Sequence, residues 1–168
     1  MNHPKIAIKV KNFGTMTAEL YPEFAPKTVE NFLALAEKDF FAGLIFHRVI
    51  RGFMIQGGGY TASFEDRETG AIKGEFKANG FMENTLRHTR GVLSMARTSD
   101  PDSASSQFFV MHADAPHLDG QYAGFGKLVD GFDVLDKIAT TRTGSIGFYM
   151  QDVPRETIEI ETIEVLSE

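Results

Sequence analysis

A chain of 168 residues with 42% apolar and 24% charged side chains has the make-up of one globular unit, able to bury roughly 70% of its unfolded surface. Its formal charge of −6 lacks the basic excess of a nucleic-acid-binding surface, and the absence of cysteine excludes disulfides and thiol catalysis. No run approaches the ~18 apolar residues of a membrane helix. Met1-Asn2-His3-Pro4-Lys5 passes straight into an alternating segment, without the apolar stretch of a secretory signal. The expectation is a single domain over residues 1–168, with a core from about 5 to 166, cytoplasmic and monomeric, and without membrane or nucleic-acid partners.

Ile6, Ile8 and Val10 alternate with Ala7, Lys9 and Lys11, and after Asn12-Phe13-Gly14 the alternation resumes at Met16, Ala18 and Leu20, which predicts a β-hairpin. Pro22 ends the second strand, and Pro26 has the fixed φ that suits a first helical turn. Val29, Phe32, Leu33, Ala36 and Phe40 then fall on one helical stripe, so a helix should run to Asp39 or Phe40, before Gly43. Next come two short segments about an Arg51-Gly52 turn. Period two sets Ile45, His47 and Val49 against Phe46, Arg48 and Ile50, and sets Met54 and Gln56 against Phe53 and Ile55. A guanidinium among so many apolar residues is rarely there for stability alone. Arg48 is placed at the rim of a hydrophobic pocket, with Gln56 near enough to orient it.

Gly57-Gly58-Gly59 reads as tight backbone after a strand, because no Lys-Ser/Thr pair or helix start follows to make a phosphate cradle. The long stretch 57–91 has little period; one short strand is expected around Gly74-Glu75-Phe76. Strands are predicted at 91–97, 107–111 and 123–129, and a short helix at 132–138. Phe108 and Phe109 must face opposite ways, with Gln107 sharing the face of Phe109. Near the C-terminus Ile158 and Ile160 have one parity, Ile163 and Val165 the other. Only a β-bulge near Glu161-Thr162 puts all four on one face. Glu156, Glu159, Glu161 and Glu164 would be the solvated face of that strand. His88 is expected to make structural hydrogen bonds in its loop. His112 and His117 lie five apart across a proline without a carboxylate pair, so no metal site is expected. Many short strands and two helices point to an antiparallel sheet with helices covering its ends, barrel and sandwich both remaining open.

The run 46–58, FHRVIRGFMIQGG, resembles the signature segment of the cyclophilins, the peptidyl-prolyl cis–trans isomerases. Gly91-Val92-Leu93-Ser94-Met95-Ala96 is similar to their G-x-L-S-M-A strand, and Ser106-Gln107-Phe108-Phe109 to their SQFF strand. Leu118-Asp119-Gly120, with Phe125-Gly126, is similar to their LDG and FG segments. The likeness runs in consistent order from about Ile6 to about Val165 and has the style of the short bacterial members. It implies a mainly β fold: a closed eight-stranded antiparallel β-barrel capped by two α-helices, filled by side chains, with the active groove on its outer wall. It implies isomerisation of X–Pro bonds in proline-containing peptides and folding polypeptides, with no covalent intermediate, cofactor or metal.

By the same resemblance the catalytic residues are Arg48, Phe53 and Gln56, with Arg48 donating to the proline nitrogen and Gln56 holding Arg48 or the substrate backbone. Phe53, Met54, Phe109 and Leu118 would form the proline-ring pocket. Ala96 and Arg97 would offer backbone groups to the residues before proline, with Gln107 in the adjoining subsite. Arg97 stands where many eukaryotic members have asparagine, a change that a backbone contact survives. His117 replaces the tryptophan at the groove rim of eukaryotic members, and Tyr122 replaces a histidine. Without that indole, binding of cyclosporin-type ligands should be weak. A proline-peptide binding module or chaperone with incidental isomerase activity is the alternative reading.

Overall fold

The first alternating segment forms strand β1 (Lys5–Val10), which turns through Asn12 and Gly14, both at positive φ, into β2 (Gly14–Leu20). The computed structural model describes residues 2–147 and 150–167. After β2 come helix α1 (Pro26–Glu37), β3 (Arg48–Ile50), β4 (Met54–Gly57), β5 (Val92–Met95), β6 (Phe108–Met111) and β7 (Gly124–Asp130). Helix α2 (Phe132–Ala139) and strands β8 (Thr143–Ile146), β9 (Met150–Pro154) and β10 (Ile160–Ser167) complete the described chain.

Eight strands make one antiparallel sheet in the order β10-β1-β2-β7-β5-β6-β4-β3. The sheet curls until the chain entering β3 meets β10: Phe46 N–H donates to Ile158 O at 2.9 Å and Ile160 N–H to Leu44 O at 2.7 Å. The fold is therefore the expected barrel, with one qualification. β3 and β10 share no ladder, only this short seam and a bridge between Ile45 and Glu159, so full closure was an overstatement.

Phenylalanine rings cluster in the interior among Ile, Leu, Val, Met and Ala side chains. Phe32 from α1 lies 4.9 Å from Phe41, 5.3 Å from Phe108 and 5.1 Å from Phe125, ring centre to ring centre. Val29, Phe32, Leu35 and Ala36 bury one face of α1, while Leu33 and Phe40 sit half-buried at its margin. The helix stops at Glu37, short of the expected end, and Asp39 then takes a left-handed φ of 56°.

Helix α1 has no capping side chain of its own, because Ala25 precedes it. Its orphan N–H groups are met instead by Glu75, buried in the long loop. The Glu75 carboxylate accepts from Thr28 N–H and from the Thr28 hydroxyl at 2.7 Å each, and from Lys27 N–H at 3.3 Å. A carboxylate at this end also meets the positive pole of the helix. This explains why no strand forms at 74–76. Glu75 is held by its side chain, its carbonyl accepts from Asn84, and the nearest pairing is a single bridge between Ile72 and Ala104.

The predicted bulge in the last strand is present. Lys9 pairs with Thr162 and Val10 with Ile160, so Glu161 is the extra residue. Ile158, Ile160 and Ile163 are thereby all buried, with Val165 at the margin. Glu161 and Glu164 face solvent on this strand, while Glu156 and Glu159 precede it. Two face assignments fail. Phe46 joins Val49 in the inner core despite odd spacing, because the regular strand begins only at Arg48. Phe53 packs with Met54 rather than against it, because it still belongs to the turn before β4. The β8–β9 hairpin was not anticipated, since Thr143–Ile146 is half-exposed to exposed and carries no alternation. Among the described residues no helix is long and apolar enough to cross a membrane.

Candidate active site

Cross-strand register builds the site. β3 pairs with β4 so that Arg48 stands opposite Gln56, and β4 pairs with β6 so that Gln56 stands opposite Phe109. Directly opposed residues share a face of the sheet, so these three side chains form one row on the outer wall. The neighbouring row, Val49, Ile55 and Val110, points inward and is buried. Two glycines after Gln56 allow the chain to leave β4 closely packed: a Cβ on Gly57 would lie 2.5 Å from Ile45 O, and Gly58 has φ +91°.

Below the row lies a second, smaller apolar cluster in which Met54, Phe109, Met111 and Leu118 are buried and Phe53, Ala96 and Tyr122 half-buried. Its mouth is a hollow of about 120 Å³. Phe53, Met54, Phe109 and Leu118 form the apolar wall, Arg48, Gln56 and Arg97 the polar rim, and Ala96 and Tyr122 complete the lining. Arg48 Nη1 donates to Gln56 Oε1 at 3.4 Å, and Gln56 Nε2 donates to Gln107 Oε1 at 3.0 Å. The longer of these bonds is weak. Among the described residues it is the one side-chain hydrogen bond of the Arg48 guanidinium. Gln107 itself stands outside this hollow, in an adjoining one of about 420 Å³ shared with Gln56, Ala96 and Arg97.

Three expectations need adjustment. The backbone N–H of Ala96 already donates to Gln107 O at 3.0 Å, which leaves its carbonyl as the group to offer. Arg97, expected to act by its backbone, has its side chain engaged at the rim. Its guanidinium lies 4.7 Å from the ring centres of both Phe76 and Tyr122 and donates to Gln121 O at 2.7 Å, so it fixes the Tyr122 ring at the rim. His117 is exposed and does not line the hollow; it stacks on the outer side of Phe53 with ring centres 5.9 Å apart.

Two supports behind the pocket were not foreseen as such. His88 does make structural hydrogen bonds, and it also stacks on Phe109 at 6.1 Å. Its ring spans Asp119 Oδ1 at 3.1 Å and Ser94 Oγ at 2.8 Å, which sets Nδ1 as the donor to the carboxylate and Nε2 as the acceptor from the hydroxyl. Burial depresses its basicity, and the Asp119 carboxylate opposes that effect. The second support is His112, which accepts from Gly52 N–H at 2.8 Å and donates its own backbone N–H to Phe53 O at 2.9 Å. Its ring reaches Asp136 on α2 at 3.0 Å. Asp136 in turn is held by both guanidinium arms of Arg90, which keep its carboxyl below the usual carboxylate range. Arg90, His112 and Asp136 are far apart in the chain, and no spacing signals their meeting.

The fold is a side-chain-filled barrel with an arginine and a glutamine in register beside an apolar hollow on its outer wall. The chain belongs to the cyclophilin-type peptidyl-prolyl cis–trans isomerases: the sequence profile of that family, "Cyclophilin type peptidyl-prolyl cis-trans isomerase/CLD", matches residues 5–165. Among individual proteins, it is 43% identical to the peptidyl-prolyl cis–trans isomerase B of Escherichia coli, over 92% of this chain and 95% of that one. It is 44% identical to an isomerase of Acinetobacter baylyi, over 93% of this chain and 82% of that one. A crystal structure of a Cryptosporidium parvum cyclophilin-type isomerase superposes with a TM-score of 0.80 at 30% identity, covering 99% of each chain. A second, determined in the presence of the dipeptide Ala-Pro, gives 0.77 at 32% identity over 98% of this chain and 99% of that one.

Proposed function

We propose that the Arg48–Gln56–Phe109 row and the hollow beneath it carry the peptidyl-prolyl isomerisation of this chain, on X–Pro bonds of peptides and folding polypeptides. An X–Pro amide resists rotation because its C–N bond has partial double-bond character, with a barrier of ~18–20 kcal/mol. Uncatalysed exchange takes tens to hundreds of seconds. No covalent bond has to break, so the task is to bind the twisted amide better than either planar form. Twisting returns a lone pair to the proline nitrogen and moves charge off the carbonyl oxygen. A permanently protonated guanidinium beside an apolar pocket favours that state over the ground states. Raising ~0.01 s⁻¹ to a typical ~10 s⁻¹ takes roughly 4 kcal/mol, within reach of one charge-assisted hydrogen bond plus desolvation.

The observation that carries the reading is the register itself: Arg48 and Phe109 face one hollow, sized for a single small ring, with Gln56 between them. That the related parasite structure was determined in the presence of Ala-Pro supports proline as the ring in question. The Ala96 carbonyl and the Arg97 backbone serve the residues before proline, with Gln107 facing their side chains in the larger hollow. The test is cis–trans exchange of an Ala-Pro peptide, followed by NMR exchange spectroscopy. Arg48→Ala should lower kcat/KM about 100-fold, equivalent to ~2.7 kcal/mol. Unaltered exchange would exclude the arginine from the reaction. Cyclosporin-type ligands should bind weakly, because neither His117 nor Tyr122 supplies an indole. A tight calorimetric titration with cyclosporin would contradict this.

A further inference from the structure

Beyond the edge strand β3, between it and β9, lies a separate hollow of about 330 Å³ with Arg48 in its wall. Arg48 also rims the proline-sized hollow, so the two spaces share this one residue. His47 lines the new hollow. It is 8% exposed, and among the described residues its Nδ1 has no hydrogen-bond partner. The Tyr60 ring meets it edge-on at 4.7 Å. Burial first, and then the Arg48 charge, hold the His47 ring neutral, with a pKa of about 4. A sealed nitrogen is less costly as a bare lone pair than as an orphaned N–H. The ring proton therefore belongs on Nε2, and the hollow is offered a donor.

The opposite wall is irregular in a directed way. In the β8–β9 pair Gly144 meets Val153 and Ile146 meets Met150, so Gln151 and Asp152 together oppose only Ser145. Asp152 sits in this bulge at φ 59°, a conformation that non-glycine residues seldom adopt. Bulges of this kind re-aim side chains beside functional sites, and both Gln151 and Asp152 line the hollow. One wall thus carries His47, Arg48 and Tyr60, all able to donate, and the other carries Gln151 and Asp152, both able to accept. An anion would be repelled by Asp152 and a cation by Arg48. A peptide unit, with its C=O and N–H pointing in opposite directions, fits both walls.

The geometry points to this hollow as a subsite for an uncharged peptide unit that follows the proline in the substrate. The direction rests on the function proposed above: residues before proline lie towards Ala96, Arg97 and Gln107, so the chain leaving the proline crosses Arg48 towards β9. Two blocked peptides test it, one ending in an amide directly after Ala-Pro, the other extended by two uncharged residues. The native protein should give a kcat/KM about tenfold higher on the longer peptide, the scale of one well-made hydrogen bond. In Asp152→Gly, which suits the positive φ and removes the acceptor, and in His47→Phe, that ratio should fall towards one. Equal rates on the two peptides in the native protein, or a ratio unchanged in Asp152→Gly, would overturn the subsite. The readout is a ratio between substrates, so it is distinct from the role of Arg48, which the absolute rate on the short peptide decides.

Discussion

Arg48 is exposed, yet its position is narrowly defined by the residue it faces across the strand pair and by the turn that follows. Replacing it with lysine tests whether charge or shape matters. A lysine keeps the charge but loses the planar fork that can touch Gln56 and a ligand together. Arg48→Lys should therefore recover less than a tenth of the activity lost in Arg48→Ala, read from kcat in the same exchange experiment. At this scale the sequence was most informative where a motif met a period. Arg48, Gln56 and Phe109 could be recognised because alternation puts Gln56 and Met54 on one face and separates Phe108 from Phe109. It misled where the regular strand had not yet begun, at Phe46 and Phe53. The donors of Arg97 and the ring of His88 act through partners 24 and 31 positions away, a distance at which no local pattern operates.

Helix α1 depends on a residue that is not part of it. Glu75 supplies the N-terminal cap that Ala25 lacks, and it does so from within the core. Glu75→Ala would strand the N–H groups of Thr28 and Lys27 and cost about 2 kcal/mol; Glu75→Gln, keeping one acceptor but no charge, about 1 kcal/mol. Urea unfolding midpoints measure both, and the folded variants should retain their isomerase rate, since the helix lies away from the groove. Elements with internal periodicity were legible: the first hairpin, both helices and the parity conflict that required a bulge at Glu161. The segment around Glu75 was not, because Gly74-Glu75-Phe76 looks like a strand until its tertiary partner is known. β8 and β9 escaped because a half-exposed hairpin has no apolar rhythm to read.

For the molecule as a whole, two buried histidines couple stability to acidity. His47 titrates near 4 when folded and at its ordinary 6.5 when unfolded, because burial disfavours the imidazolium; His88 is shifted in the same direction. The unfolded chain therefore takes up protons first as pH falls. The stabilisation from neutral His47 is complete above pH 6.5 and is lost as pH drops towards 4, by an amount of roughly 3 kcal/mol. Unfolding free energies from urea titrations between pH 7.5 and pH 4 should decline over this window, and His47→Phe should flatten the decline. A curve equally steep in that variant would assign the loss to other groups. The barrel could be anticipated only through family likeness, since strand count alone leaves a sandwich open. The seam that joins its ends is a matter of three-dimensional curvature, to which no stretch of residues testifies.

That seam and the pairing of β1 with β10 have a consequence for how the molecule is born. Lys5 lies opposite Ser167, so β1 waits for β10 before it has a neighbour on that side. During synthesis the greasy inner surface stays open, and loop closure over nearly the full length makes the final step slow. A member of an isomerase family thus keeps its own barrel open until β10 is made and can pair with β1.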